Sequence, residues 1–170
     1  MKTLAIIILI LVLLLTLLGC SAKPADLVDV KKITLQSIIL DPADYKVFVI
    51  TPNYMVSQYD FTAYWIYNIF DYFSDSLPNE NEYSYSEWRI TEDSWNYIVE
   101  ALGQNLFFEL PEDISLKNGE DYPIYYIEVE ANGITHKSGG YGAGYNKDKA
   151  GSRFKNILNA ITESLDNDIR

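Results

Sequence analysis

Two residue types that carry much of protein chemistry are almost missing. The 170 residues include one cysteine, Cys20, and one histidine, His136. A single cysteine excludes an internal disulfide and a thiolate metal site, so the core has to hold by packing alone. With no second histidine, zinc lacks its usual nitrogen and sulfur ligands, and His136 reads as a histidine on a solvent-edge strand rather than a triad base. Positive charge is also scarce: 13 Lys and Arg stand against 24 Asp and Glu, a net charge of −11. That balance argues against nucleic acid, which needs a basic surface to release counterions, and against polybasic adhesion to anionic headgroups. No Asp-rich calcium loop of the EF-hand type is present, so neither a metal nor any other cofactor is expected. Carboxylates are plentiful, and composition alone leaves a two-acid hydrolase as the least favoured alternative. Yet Glu80, Glu82, Glu92, Asp93, Glu112, Asp113, Glu120 and Asp121 fall in polar loops or helix starts, where acids serve solvation and capping.

Long apolar runs are absent except at the start. Lys2 precedes 15 residues, 4–18, that are apolar apart from Thr16, and Gly19 and Cys20 follow. The length suits the core of a secretory signal better than the roughly 20 residues of a bilayer-spanning helix, although an uncleaved anchor is the competing reading. Leu17-Leu18-Gly19-Cys20 resembles the bacterial lipobox. The resemblance implies a signal peptide over residues 1–19 and lipidation of Cys20, with residues 20–26 as a tether. Several acyl tails on one residue make a lasting anchor. The expected location is the extracytoplasmic face of a bacterial membrane, either the outer leaflet of the cytoplasmic membrane or the outer membrane. Without Lys2 the remaining chain has a net charge of −12, which suits a well-solvated surface.

Residues 27–170 read as a single domain, long enough to bury a core. Residues 33–40 and 45–51 are rich in β-branched and aliphatic side chains and flank Asp41-Pro42-Ala43-Asp44, a turn sequence, which predicts a first hairpin. Over 58–73 the apolar residues alternate, favouring a strand over a helix, and 83–90 reads as its return after a polar loop. Thr91 should cap a helix whose stripe is Trp95, Ile98, Val99 and Leu102, with Gly103 as its stop. Phe107 and Phe108 should close one end of the core. Asn132-Gly133 between 124–131 and 134–138 is a strong hairpin signal, and counting back from it sets Glu128 opposite Lys137, and Ile127 and Val129 opposite Ser138 and His136. Phe154, Ile157, Leu158, Ile161 and Leu165 form a last helical stripe, for which Ser152 is the expected cap. The sum is an α+β fold: an antiparallel β-sheet of about five to six strands with two α-helices packed on one face.

The glycines at 140, 142 and 144 invite comparison with phosphate-binding loops. Their spacing fits neither the Walker loop nor the dinucleotide fingerprint, and they follow a hairpin strand, so they read as a tight exit from an edge strand. The aromatic residues of the first half are more informative. Tyr59, Trp65, Tyr67, Tyr83, Tyr85 and Trp88 exceed what one small core needs, and tyrosine and tryptophan give large contact areas at little entropic cost. They are the candidate partner-binding residues, for an envelope protein or, alternatively, a glycan of the cell wall.

The segments FFELPEDI and YYIEVEANGITHKSGGY, with a capped helix before them and an amphipathic helix after, resemble small domains of bacterial lipoproteins. More distantly they are similar to emfourin-type metalloprotease inhibitors. That resemblance covers about residues 91–165, is architectural, and makes protease inhibition one alternative to a non-enzymatic module that binds an envelope partner. The early glycine-rich segment of the emfourin pattern has no counterpart in residues 51–59, and no functional residue is carried over.

Overall fold

The computed structural model describes residues 27, 29–40, 43–61, 83–117 and 121–168. They form β1 (Val30–Leu40), β2 (Ala43–Ile50), β3 (Met55–Phe61), β4 (Tyr83–Arg89), α1 (Glu92–Gln104), a 3-10 turn (Phe107–Glu109), β5 (Ile124–Ala131), β6 (Ile134–Tyr141) and α2 (Lys149–Asp168). The strands make one six-stranded sheet in the order β4-β3-β2-β1-β5-β6, antiparallel throughout. The architecture is α+β, as the element pattern implies. The leader, Cys20 and the tether lie outside the described residues. Of the 58–73 segment only 58–61 is described, and it is strand, within β3.

Local chemistry sets the elements. Asn132 and Gly133 take φ values of +54° and +76°, the positive pair that a type I′ turn demands. The β5–β6 register then pairs Glu128 with Lys137, Ile127 with Ser138 and Val129 with His136. Thr91 caps α1, its Oγ1 accepting the Ser94 N–H at 3.1 Å, with Glu92 and Asp93 in the first turn. The helix runs one residue past Gly103, and Asn105 closes it, its N–H donating to Ala101 O at 3.1 Å. α2 starts earlier than Ser152 would suggest. Asp148 is its cap: Oδ1 accepts the Gly151 N–H at 2.7 Å and its carbonyl accepts the Ser152 N–H at 3.0 Å. A carboxylate outcompetes a hydroxyl there because it also complements the helix dipole.

The helices run antiparallel across one face of the sheet. At one end the Thr91 N–H donates to Asp168 Oδ2 at 3.0 Å and Tyr97 donates to Glu163 at 3.3 Å; at the other, Arg153 Nε donates to Asn105 O at 2.6 Å. Beneath them, Ile33, Leu35, Ile50, Val56, Ile127 and Val129 meet Leu102, Phe107, Phe154, Ile157 and Ile161, none of them more than 1% exposed. Burial of each such side chain contributes about 1.5–3 kcal/mol.

The two sheet edges are finished differently. A short strap around Asp113 lies along β6 in parallel: Ile114 N donates to Gly139 O at 2.9 Å, Leu116 N to Tyr141 O at 2.8 Å, and Gly139 N to Glu112 O at 3.1 Å. Gly140 is required at this contact, because a Cβ there would strike the Ser115 hydroxyl and its φ is +133°. β4, at the other edge, has no strand beyond it among the described residues.

Candidate functional site

The face of the sheet turned away from the helices is where the aromatic residues gather. Strand alternation sends Tyr59 and Phe61 of β3 and Tyr83 and Tyr85 of β4 to the same side. The register then sets Tyr59 against Tyr85 and Phe61 against both Tyr83 and Tyr45. Ring centroids are 5.3 Å apart for Tyr59–Tyr83, 5.1 Å for Tyr59–Tyr85, 5.7 Å for Phe61–Tyr83 and 4.6 Å for the stacked Tyr45–Phe61 pair. These separations lie in the range where aromatic pairs attract beyond simple burial.

Exposure rises steadily across this cluster. Phe61 is 7% exposed at its inner end and Tyr85 50% at the edge. Burial pushes the Tyr45 phenol up to about 12, and burial, followed by the neighbouring Tyr83 and Glu87, raises that of Tyr59. The Tyr85 phenol is raised chiefly by its hydrogen bond to the Glu87 carboxylate, and it also donates to Ser57 Oγ at 3.4 Å. Ser57 Oγ in turn donates to Glu87 at 3.2 Å. A carboxylate, a hydroxyl and three phenol rings therefore stand together at the outer end. Further in, Gln36 lies on the same face between Val47 and Tyr126, and its Oε1 is buried without a hydrogen-bond partner. Lys137 Nζ sits 4.5 Å over the Tyr126 ring, where burial lowers its pKa and Glu128 works the other way.

Of the residues singled out in the sequence, the fold brings Tyr59, Tyr83 and Tyr85 together. Trp88 is on the other face. It packs edge-on against Phe48 at 6.4 Å, beside the helices, with its buried indole N–H unpartnered. Trp65, Tyr67 and Cys20 lie outside the described residues. Tyr45 and Phe61, missing from the sequence-based selection, form the inner wall of the cluster. Parity within each strand was the available signal: 83 and 85 share a face that 88 cannot.

Other candidate chemistries are accounted for by structural contacts. The amides of Gly139, Gly142, Ala143 and Tyr145 donate to carbonyls of the chain itself, and the Asp148 carboxylate occupies the start of α2, so these donors are already used within the chain. His136 is half-buried rather than at a solvent edge, because the connector after α1 folds over β6. Its Nε2 lies 3.0 Å from Leu110 O and its ring packs against Phe107 and Phe108. A polar groove of about 440 Å³ runs between α1 and α2. Its carboxylates are engaged, Glu100 with Gln104 at 2.7 Å and Glu163 with Tyr97. Among the described residues no group of three His, Cys, Asp or Glu side chains could hold a metal, and no helix is long and apolar enough to cross a membrane.

No protein-family model matches this chain, and no curated protein matches its sequence. The site's geometry therefore carries the functional argument by itself. Ring faces flanked by hydrogen-bonding groups can stack on and hydrogen-bond to a partner surface.

Proposed function

We propose that this chain is a non-enzymatic recognition module, anchored by lipid at Cys20 on the extracytoplasmic face of a bacterial membrane, that binds a protein of the cell envelope. The carrying observation is the Tyr59–Tyr83–Tyr85 cluster, standing with 5.1–5.3 Å ring spacing on the sheet face that the helices leave uncovered. Rigid, amphipathic rings at the end of a well-packed sheet suit a binding surface because little side-chain freedom is lost on docking. The leader ending in Leu-Leu-Gly-Cys supplies the anchor. A metalloprotease is one partner class to try, on the strength of the emfourin resemblance.

The experiment is site-specific photo-crosslinking of the full chain in its own membrane. A photoreactive residue at Tyr85 should capture one envelope protein distinct from this chain, and the same residue at Tyr97, exposed on α1, should not. Equal capture at both positions, or none at either, would count against the proposal. Anchoring is tested by acyl-chain labelling, which Cys20→Ala should abolish.

A second reading has its own support. Ser57 and Glu87 present a hydroxyl and a carboxylate beside the ring of Tyr85, the combination that holds a sugar. Retention on cell-wall polysaccharide, lost in Tyr85→Ala, would favour that reading over a protein partner.

A further inference from the structure

The two sheet edges pose a question that the tyrosine face does not answer. β6 is sealed by the strap around Asp113, whereas nothing among the described residues pairs with the outer side of β4. An open strand edge carries a row of unpaired N–H and C=O groups and invites another strand.

The geometry of β4 specifies which groups point outward. Ile90 N donates to Tyr54 O at 3.0 Å, so the even-numbered residues of this strand turn their amides towards β3. Tyr83, Tyr85, Glu87 and Arg89 therefore turn theirs outward. Their side chains lie on the open face, those of Ser84, Ser86 and Trp88 on the helix face.

We infer that β4 pairs antiparallel with β4 of a second copy of this chain, about a two-fold axis at Ser86. In that register the outward-facing residues meet each other: Tyr85 lies opposite the second copy's Glu87, and Tyr83 opposite its Arg89. A phenol faces a carboxylate and an aromatic ring faces a guanidinium, and all seven residues are paired. The Tyr85 hydroxyl already donates to Glu87 within one strand, so the contact across the axis is of a kind the strand uses. Slipping by two residues in one direction sets Glu87 against its own copy, a repulsion. Slipping the other way leaves Arg89 without an opposite number. A slip of one residue points outward amides at inward ones. Charge pattern and hydrogen-bond parity thus select one alignment, and that alignment is self-complementary.

The axis is perpendicular to the sheet, so the product is a twelve-stranded sheet with all four helices on one side and both tyrosine clusters on the other. It doubles the open face, and a partner with repeated epitopes would then be held by two sites. The inference rests on the β4 edge and stands whether or not the tyrosine face binds an envelope protein. Like net charges of −11 oppose the approach, an effect screened beyond about 8 Å at physiological salt. Association should accordingly weaken at low ionic strength.

Oxidative crosslinking of the full chain in membranes tests the alignment. Ser86 faces its own copy as a non-hydrogen-bonded pair, with Cα atoms about 4.5 Å apart, within the range a disulfide spans. Ser86→Cys should give a disulfide-linked dimer at least ten times more abundant than Ser84→Cys, which faces Trp88, or than the parent chain, whose sole cysteine is the anchoring Cys20. A yield at Ser86→Cys no higher than at Ser84→Cys would overturn the inference, as would a crosslinked product with the mass of a different protein. Glu87→Pro removes an outward N–H and leaves the ladder to β3 intact, so sedimentation should show the dimer lost with circular dichroism unchanged. A Glu87→Pro chain that is folded and still dimeric would also overturn it. If that variant fails to fold, the cysteine comparison alone decides.

Discussion

The two faces of the sheet are built from the same strands and behave as different materials. On the helix side Ile33, Ile50, Val56 and Val129 are fully buried against Phe154, Ile157 and Ile161. On the other side Ile38, Val47, Phe61 and Ile124 are also nearly dry, but beside them lie Tyr45, Tyr59, Tyr83 and Tyr126, phenols that keep one end polar. The buried part of the helix side is thus mainly aliphatic, whereas the other side mixes aliphatic residues with phenols. The lesson is that one sheet can carry a second, smaller buried cluster, around Ile38 and Ile124, on the face away from its main core. Its neighbouring rings pack against one another, and exposure is greatest at Tyr85.

The largest effect that separates the faces is expected from truncation on the helix side. Phe154→Ala should cost about 3–5 kcal/mol in urea unfolding, through lost contacts and a cavity the helices cannot close. A cost below 1 kcal/mol would mean that the helix layer is not the core.

The next test probes how dry the inner end of the tyrosine face is. Burial holds the Tyr45 phenol at about 12 in the fold against about 10 in the unfolded chain. A folded value above the unfolded one gives stability that is complete below pH 10 and is lost as pH rises towards 12. The loss should amount to about 2–3 kcal/mol, read by denaturant midpoints across that window. Tyr45→Phe should flatten the profile, and an unchanged profile would show that Tyr45 is solvated.

A third variant acts on the helix layer from its end. Arg153 clamps the exit of α1, donating to the carbonyls of Asn105 and Leu106, with Glu109 at 3.8 Å. Arg153→Ala should cost about 1.5 kcal/mol, and Arg153→Lys should recover only part of it because one ammonium cannot span both carbonyls as a guanidinium does.

The smallest expected effect sharpens the contrast most. Tyr85→Ala should change unfolding stability by no more than about 0.5 kcal/mol, since the side chain is half exposed. A much larger loss would make this face structural and remove the argument for a partner there.

Much of the fold was legible because its signals are local. Asn132-Gly133 gave the β5–β6 register residue by residue, and Thr91 gave the start of α1. The strap on β6 was not legible, because residues 112–116 reach Gly139 and Tyr141 by non-local pairing that leaves no period in the sequence. The same folding-over buries His136 beneath Phe107 and Phe108, which no neighbour in sequence announces. Asp148 and Ser152 are both acceptable caps on propensity, and the structure uses Asp148, whose carboxylate also complements the helix dipole. For the site, parity alone separates Trp88 from Tyr83 and Tyr85. Joining Tyr45 and Phe61 to those tyrosines needs the β2–β3–β4 registers, which depend on turns that sequence motifs specify weakly.

The first strand of the sheet is also a central one. β1 is gripped by β2 on one side and by β5 on the other, and the partner residues on β5 lie nearly a hundred positions further along the chain. A pull on the amino-terminal end of this domain is delivered to β1 along its own axis. The load is shared in shear by two ladders at once, instead of unzipping one strand from an edge. Single-molecule pulling should find the amino-terminal attachment mechanically stronger than one placed at β4.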